Sequence, residues 1–242
     1  MLSDYRCRVF DVNKFNFCKS DPEILKVELA RITDDIALLA TCGYHKFICH
    51  LNHNQDNSVT YTRKNINSLK KLFSLMIPKT CGKINLKFYP SLYISPDAPY
   101  IKNIELLAVR NTNYIFLELP LINEPEYLPG AVNKILYNCK LLPIFLDFQI
   151  ANLIYASNED EVERLINIKG AAYQFGLKSI VYKENIMLIK KIMDNVNTVL
   201  LGTDFDHSML NKENILYYLE HLKRALPDGY YQRIIIDSHK FI

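Results

Sequence analysis

Glycine and histidine are the scarce residues of this sequence, with 7 and 6 copies in 242 residues. An average chain holds about 7% glycine, so this one has less than half the usual share. That discourages a glycine-rich phosphate cradle, and so few imidazoles discourage a histidine-rich metal centre. Cys7, Cys18, Cys42, Cys49, Cys81 and Cys139 are scattered and never form Cys-x-x-Cys. Zinc-ribbon and thioredoxin-type readings therefore fail, and a disulfide framework is not expected at this length. No cysteine is followed six positions later by arginine, which removes the thiolate phosphatase loop, and His-Glu-x-x-His is absent. No apolar run approaches the roughly 18 residues of a membrane span. Met1-Leu2-Ser3-Asp4-Tyr5-Arg6 carries charge where a secretory signal needs an apolar core, so the cytoplasm is the expected compartment. The excess of 29 basic over 26 acidic residues is too small to mark a dedicated nucleic-acid binder.

What is present is apolar matter in short runs: 49% of residues are hydrophobic, enough for a sizeable core. Brief β-branched and aromatic runs at 5–10, 45–50, 84–89, 114–119, 142–147, 171–175 and 199–202 read as strands buried on both faces. Helical periodicity separates them. Asp21-Pro22-Glu23 opens one helix, with Asp21 as cap, and Gly43 follows its end. Further helices are expected at 65–77, 124–139, 159–168, 183–195, 212–226 and 230–241. Seven strands, each followed by a helix or crossover, argue an α/β architecture, either an open doubly wound sheet or a barrel. No linker or composition shift divides the chain, so residues 1–242 are expected to form one domain. Residues 170–179, GAAYQFGLKS, faintly resemble a phosphate loop but read better as a buried strand and its exit turn.

Charge is unevenly placed. No acidic residue occurs from Asn57 to Pro96, whereas Arg63, Lys64, Lys70, Lys71, Lys79, Lys83 and Lys87 do. Arg63, Lys64, Lys70 and Lys71 are candidates for anion binding, against the plainer reading of a solvated helix face. Chemistry in parallel α/β folds collects at the carboxyl ends of strands. The residues there are Arg6, Arg8, His50, Asn52, His53, Tyr93, Glu118, Asp147, Gln149, Asp204, Asp206 and His207. Glu118 and Asp147 lie in apolar runs, where an ionised carboxylate needs a metal or an arginine to face it. Cys7, His45 and Lys46 read as structural, and His221 and His239 as surface residues of helices.

Several strings, in order, resemble the bacterial manganese-dependent tyrosine phosphatases of the polymerase-and-histidinol-phosphatase (PHP) superfamily. Asp4-Tyr5-Arg6-Cys7-Arg8 is similar to the family's Asp-Ile-His-Cys-His, with arginine for both metal-binding histidines. In 43–53 Asn52 stands at a ligand position beside His53, and Pro90-Ser91-Leu92-Tyr93 has Tyr93 where the family has a bridging glutamate. Tyr114-Ile115-Phe116-Leu117-Glu118-Leu119-Pro120 keeps its ligand, Glu118. In 143–151 Asp147 replaces a histidine and Ile150 the phosphate-binding arginine. Gly170-Ala171-Ala172-Tyr173-Gln174 is retained, and Gly202-Thr203-Asp204-Phe205-Asp206 keeps Asp204, with Asp206 for histidine and His207 one place late.

The resemblance implies a distorted seven-stranded, TIM-like α/β barrel. It also implies a phosphatase whose metal ligands have been replaced while the scaffold persists, hence a pseudo-phosphatase acting as a binding or regulatory module tied to polysaccharide synthesis. No cofactor is then expected. Arg6 and Arg8 would pair with Glu118, Asp147, Asp204 and Asp206 in place of the metals. The partner implied is a tyrosine-rich kinase tail or an acidic polymer, and association into an oligomer is open. The competing expectation is an active hydrolase using manganese or another divalent metal through Glu118, Asp204, Asp206, His207, His50 and His53. A third is a non-catalytic anion or nucleic-acid binder.

Overall fold

The computed structural model describes residues 2–5, 22–53, 59–74, 84–120, 126–151, 159–203 and 210–241. Seven strands occur in it: β1 (Leu2–Asp4), β2 (Tyr44–His53), β3 (Asn85–Tyr93), β4 (Tyr114–Glu118), β5 (Leu142–Leu146), β6 (Ala172–Gly176) and β7 (Thr198–Gly202). All neighbours pair in parallel, in sequence order from β1 to β7. The two ends of this sheet meet. The Tyr5 amide donates to the Leu201 carbonyl at 2.8 Å. The Thr203 amide and hydroxyl donate to the two carboxylate oxygens of Asp4 at 2.9 and 2.6 Å. The choice between open sheet and barrel is thereby decided: this is a nearly closed α/β barrel.

Side chains on successive strand residues face opposite ways. One set, with Ile48, Phe116, Ile144, Leu146, Ala172 and Leu200, fills the lumen together with Tyr5. The alternate set, including Phe47, Cys49, Leu117, Phe145, Tyr173 and Leu201, packs outward beneath the helices. Those helices are α1 (Pro22–Thr41), α2 (Val59–Ser74), α3 (Leu128–Tyr137), α4 (Glu159–Ile166), α5 (Lys183–Asp194), α6 (Lys212–Ala225) and α7 (Asp228–Lys240). Each meets the barrel through a period-3.6 apolar stripe, as in α4, where Val162, Leu165 and Ile166 are buried. Among the described residues no helix is long and apolar enough to cross a membrane.

Sequence signals placed most helix ends well. Gly43 takes φ +91°, and its amide donates to the Ala40 carbonyl, the left-handed stop that glycine makes without strain. Asn211 caps α6 by accepting from the Asn214 amide at 2.8 Å. Residues 172–176 form the expected buried strand, and a 3-10 turn, Leu177–Val181, leaves it.

Several boundaries differ from expectation: β2 runs three residues past 50 to His53, and α3 spans Leu128–Tyr137 rather than 124–139. β1 lies at Leu2–Asp4 rather than 5–10, because its ladder partners are Tyr44, Lys46 and Phe47 at the start of β2; residues 6–10 fall outside the described residues. β3 runs through Pro90 to Tyr93, four residues past the expected end. Pro90 is tolerated because pairing with β4 starts only at Ser91, so its missing N–H costs no ladder bond on that side. α2 begins at Val59, six residues before the expected start, despite the weak helix formers Val59, Thr60 and Tyr61. Asp21 and residues 121–125 lie outside the described residues.

The amino-terminal end of the lumen is plugged. Phe241 packs on Tyr114 with ring centroids 4.8 Å apart, and the Tyr114 hydroxyl donates to the Gly170 carbonyl. Lys46, expected to be structural, stands here at 5% exposure. Its Nζ donates to the His239 carbonyl of α7 at 3.2 Å and sits 5.7 Å from the centre of the Tyr5 ring. Burial, with the nearby charge of Lys87, pushes its amine down to about 8. The folded state therefore binds this proton less readily than the unfolded chain. Stability should rise as pH climbs from about 8 toward 10.5, and the full penalty is present below 8. At about 1.4 kcal/mol per pKa unit, Lys46→Met should stabilise the protein at pH 7 by up to about 3 kcal/mol. Urea unfolding at pH 7 and pH 9.5 reads this, with the advantage of the variant shrinking at the higher pH; an advantage independent of pH would contradict it.

Candidate functional site at the barrel mouth

The carboxyl ends of the strands form the mouth, where strand order alone brings residues far apart in sequence together. Glu118 ends β4 and Ser91 lies in register two places before the end of β3. The Ser91 hydroxyl donates to Glu118 Oε1 at 2.5 Å, a short charge-assisted bond of the kind that satisfies a half-buried carboxylate. On β2, His50 Nε2 lies 2.7 Å from the Tyr5 carbonyl. A carbonyl oxygen only accepts, so Nε2 carries the proton and has no lone pair to offer a metal. The imidazole meets Phe116 edge-on at 4.4 Å, which fixes its plane.

Beyond β5 the chain turns sharply. Asp147 takes the left-handed conformation, φ 50° and ψ 45°, and is 4% exposed. Its amide donates to Gln174 Oε1 at 2.8 Å. This bond identifies which end of the Gln174 amide is oxygen. Gln174 Nε2 is then a fully buried donor that meets no acceptor, an arrangement that costs free energy. Gln149 Oε1 accepts from the Gly176 amide at 3.0 Å, so this side chain bridges the ends of β5 and β6. At the seam, Asp4 is fully buried and serves Thr203.

The expected site residues therefore divide. Glu118, Gln149 and His50 line the mouth with side chains hydrogen-bonded within the protein, and Asp147 joins them through its backbone amide. Tyr93, at the end of β3, is 39% exposed. Asn52 and His53 end β2, but their side chains lie outside the described residues, as do Arg6, Arg8, Asp204, Asp206 and His207. The anion-binding candidates Arg63, Lys64, Lys70 and Lys71 are on α2, on the outer wall, and are not part of the mouth. Sequence reasoning did not single out Asp4, Ser91 and Gln174 as site residues, although all three stand inside the strings that carry the family resemblance. Their signal was a polar residue at a motif position that binds no metal.

Manganese is the group the resemblance brings into question, and the described residues do not fit it. Among them no three His, Cys, Asp or Glu side chains are grouped to hold an ion. His50 Nε2 is committed to the Tyr5 carbonyl, and Glu118 is held by a hydroxyl. These residues accordingly support no catalytic step through a metal.

No protein-family model matches the chain. No curated protein matches it either. Among solved structures, one from work on YwqE from Bacillus subtilis and CpsB from Streptococcus pneumoniae, described as unique metal-dependent tyrosine phosphatases, matches with a TM-score of 0.65. Identity is 16%, over 87% of this chain and 85% of that one. The likeness is one of fold: the distorted seven-stranded barrel is shared nearly end to end.

Asp4 is the residue at the mouth on which closure rests. Asp4→Ala orphans both Thr203 donors and should cost about 2–3 kcal/mol in denaturant unfolding, while Thr203→Val should cost about 1. Amide exchange at Tyr5 should accelerate in parallel. A cost for Asp4→Ala under about 0.5 kcal/mol would remove the seam from this role.

Proposed function

We propose that this chain is a divergent PHP-type tyrosine phosphatase-like protein that binds or regulates rather than hydrolyses. The observation that carries the reading is the engagement of the mouth with itself: His50 on the Tyr5 carbonyl, Glu118 on Ser91, and Gln174 on the Asp147 amide. A metal-dependent phosphatase uses such positions to hold ions that orient phosphate and lower the pKa of the attacking water. Arg6 and Arg8 stand where the resemblance places two ligand histidines. Guanidinium stays protonated and offers only donors, so neither residue ligates, and both repel a divalent cation. In this reading their charge replaces that of the metals, facing Glu118, Asp147, Asp204 and Asp206 through charge-assisted hydrogen bonds. The barrel then serves as a recognition module in polysaccharide synthesis, with a tyrosine-rich kinase tail as its partner.

A second reading is a working phosphoesterase with altered ligands. It is favoured by Glu118 at the end of β4, by Asp204 in its motif, and by the shared fold. Hydrolysis of an aryl phosphate with added manganese separates the two. The binding-module reading expects no turnover above that of the Asp204→Ala variant. Manganese-dependent turnover that Asp204→Ala abolishes would overturn it.

A further inference from the structure

The outer wall carries a feature that the mouth does not explain. Arg63, Lys64, Asn67, Ser68 and Lys71 line an open depression of about 560 Å³ on α2, with Lys70 exposed beside them. The opposite side of the helix, with Thr62 and Ile66, is buried. α2 contains no acidic residue, so its bases form no i,i+4 ion pairs within the helix, and none of its first-turn residues complements the helix dipole. Only Lys71, in the last turn, complements the helix dipole; Arg63 and Lys64, near the amino-terminal end, do not. Arg63 is also fixed in place: its Nε and Nη2 donate to the Leu106 carbonyl at 3.2 and 2.8 Å, which orders the guanidinium while leaving the residue exposed.

We propose that this face docks an acidic polypeptide segment of a partner. From Arg63 to Lys71 the helix rises about 12 Å, too far for one small anion to neutralise both ends, so the match is a linear polyanion. Among the described residues, none of the exposed ones on the face is aromatic, so these offer no stacking platform of the kind single-stranded nucleic acid uses. Its middle is not purely cationic. Asn67 presents both an acceptor and donors, and the Ser68 hydroxyl donates inward to the Lys64 carbonyl at 3.0 Å, turning its oxygen lone pairs outward. Acceptors set between cations suit a peptide, which brings N–H groups as well as carboxylates; polyphosphate brings no such donors.

The test titrates the full chain with a labelled glutamate-rich decapeptide. Binding should weaken about tenfold or more between about 50 and 200 mM salt. It should weaken at least as much in Lys64→Glu/Lys70→Glu, and measurably in Arg63→Ala. Lys183→Glu/Lys223→Glu, which changes net charge equally on α5 and α6, should bind as wild type does. Circular dichroism confirms that each variant is folded. No binding, equal loss in the two charge-reversal variants, or tighter binding of polyphosphate or single-stranded DNA of matched charge would each overturn the proposal.

Discussion

The Asp4 carboxylate, buried at the seam and holding both donors of Thr203, is the interaction on which the other features depend. Together with the Tyr5–Leu201 backbone bond it closes what would otherwise be an open sheet with two exposed edges. With it, the first strand meets the last across 199 positions of sequence. That closure gives the lumen an inside, so that alternate residues of every strand have somewhere apolar to point. It also sets the height of Tyr5, whose carbonyl receives His50 and whose ring lies near Lys46. A bond made at the mouth thus organises both ends of the barrel.

The two ends are built differently. The lower end is closed by aromatic packing of Phe241 on Tyr114 and by Lys46, whose Nζ donates to the His239 carbonyl. The upper end is polar, and several of its groups pair between neighbouring strands: Ser91 with Glu118, Gln174 with the Asp147 amide, Gln149 with the Gly176 amide. Strand order brings the ends of β3 and β4, and of β5 and β6, side by side, and the side chains then reach across: Glu118, level with Tyr93, reaches back to Ser91. Chemistry at this mouth is therefore a question of which polar group remains after the internal pairs are made, and Gln174 Nε2 is one that does.

Much of this architecture was legible in the sequence. Short apolar runs reveal buried parallel strands, and Pro22 and Gly43 mark helix ends through local chemistry. The motif strings led to the barrel that the fold comparison bears out. What escaped was non-local. Nothing near Asp4 signals Thr203, and nothing near Pro90 signals that β4 has yet to begin pairing there. Lys46 was recognisable as structural, but its contact with the far end of the chain was not. At the mouth, chemical type could be read while pairing could not: Glu118 was visible as a costly carboxylate, and its Ser91 partner emerged only with the register. The arginines at 6 and 8, with Asp204 and Asp206, remain a matter of sequence chemistry, since they lie outside the described residues.

The mouth pairs its described polar groups by hydrogen bonds within the protein, where the phosphatases that share its fold are metal-dependent, and the proposed reading is that it holds no metal. Metal content, measured by elemental analysis on full-length protein purified without chelator, tests this directly. The expected result is manganese, zinc and iron all far below one equivalent per chain, and unchanged in Glu118→Gln. A stoichiometric divalent metal that Glu118→Gln releases would contradict it.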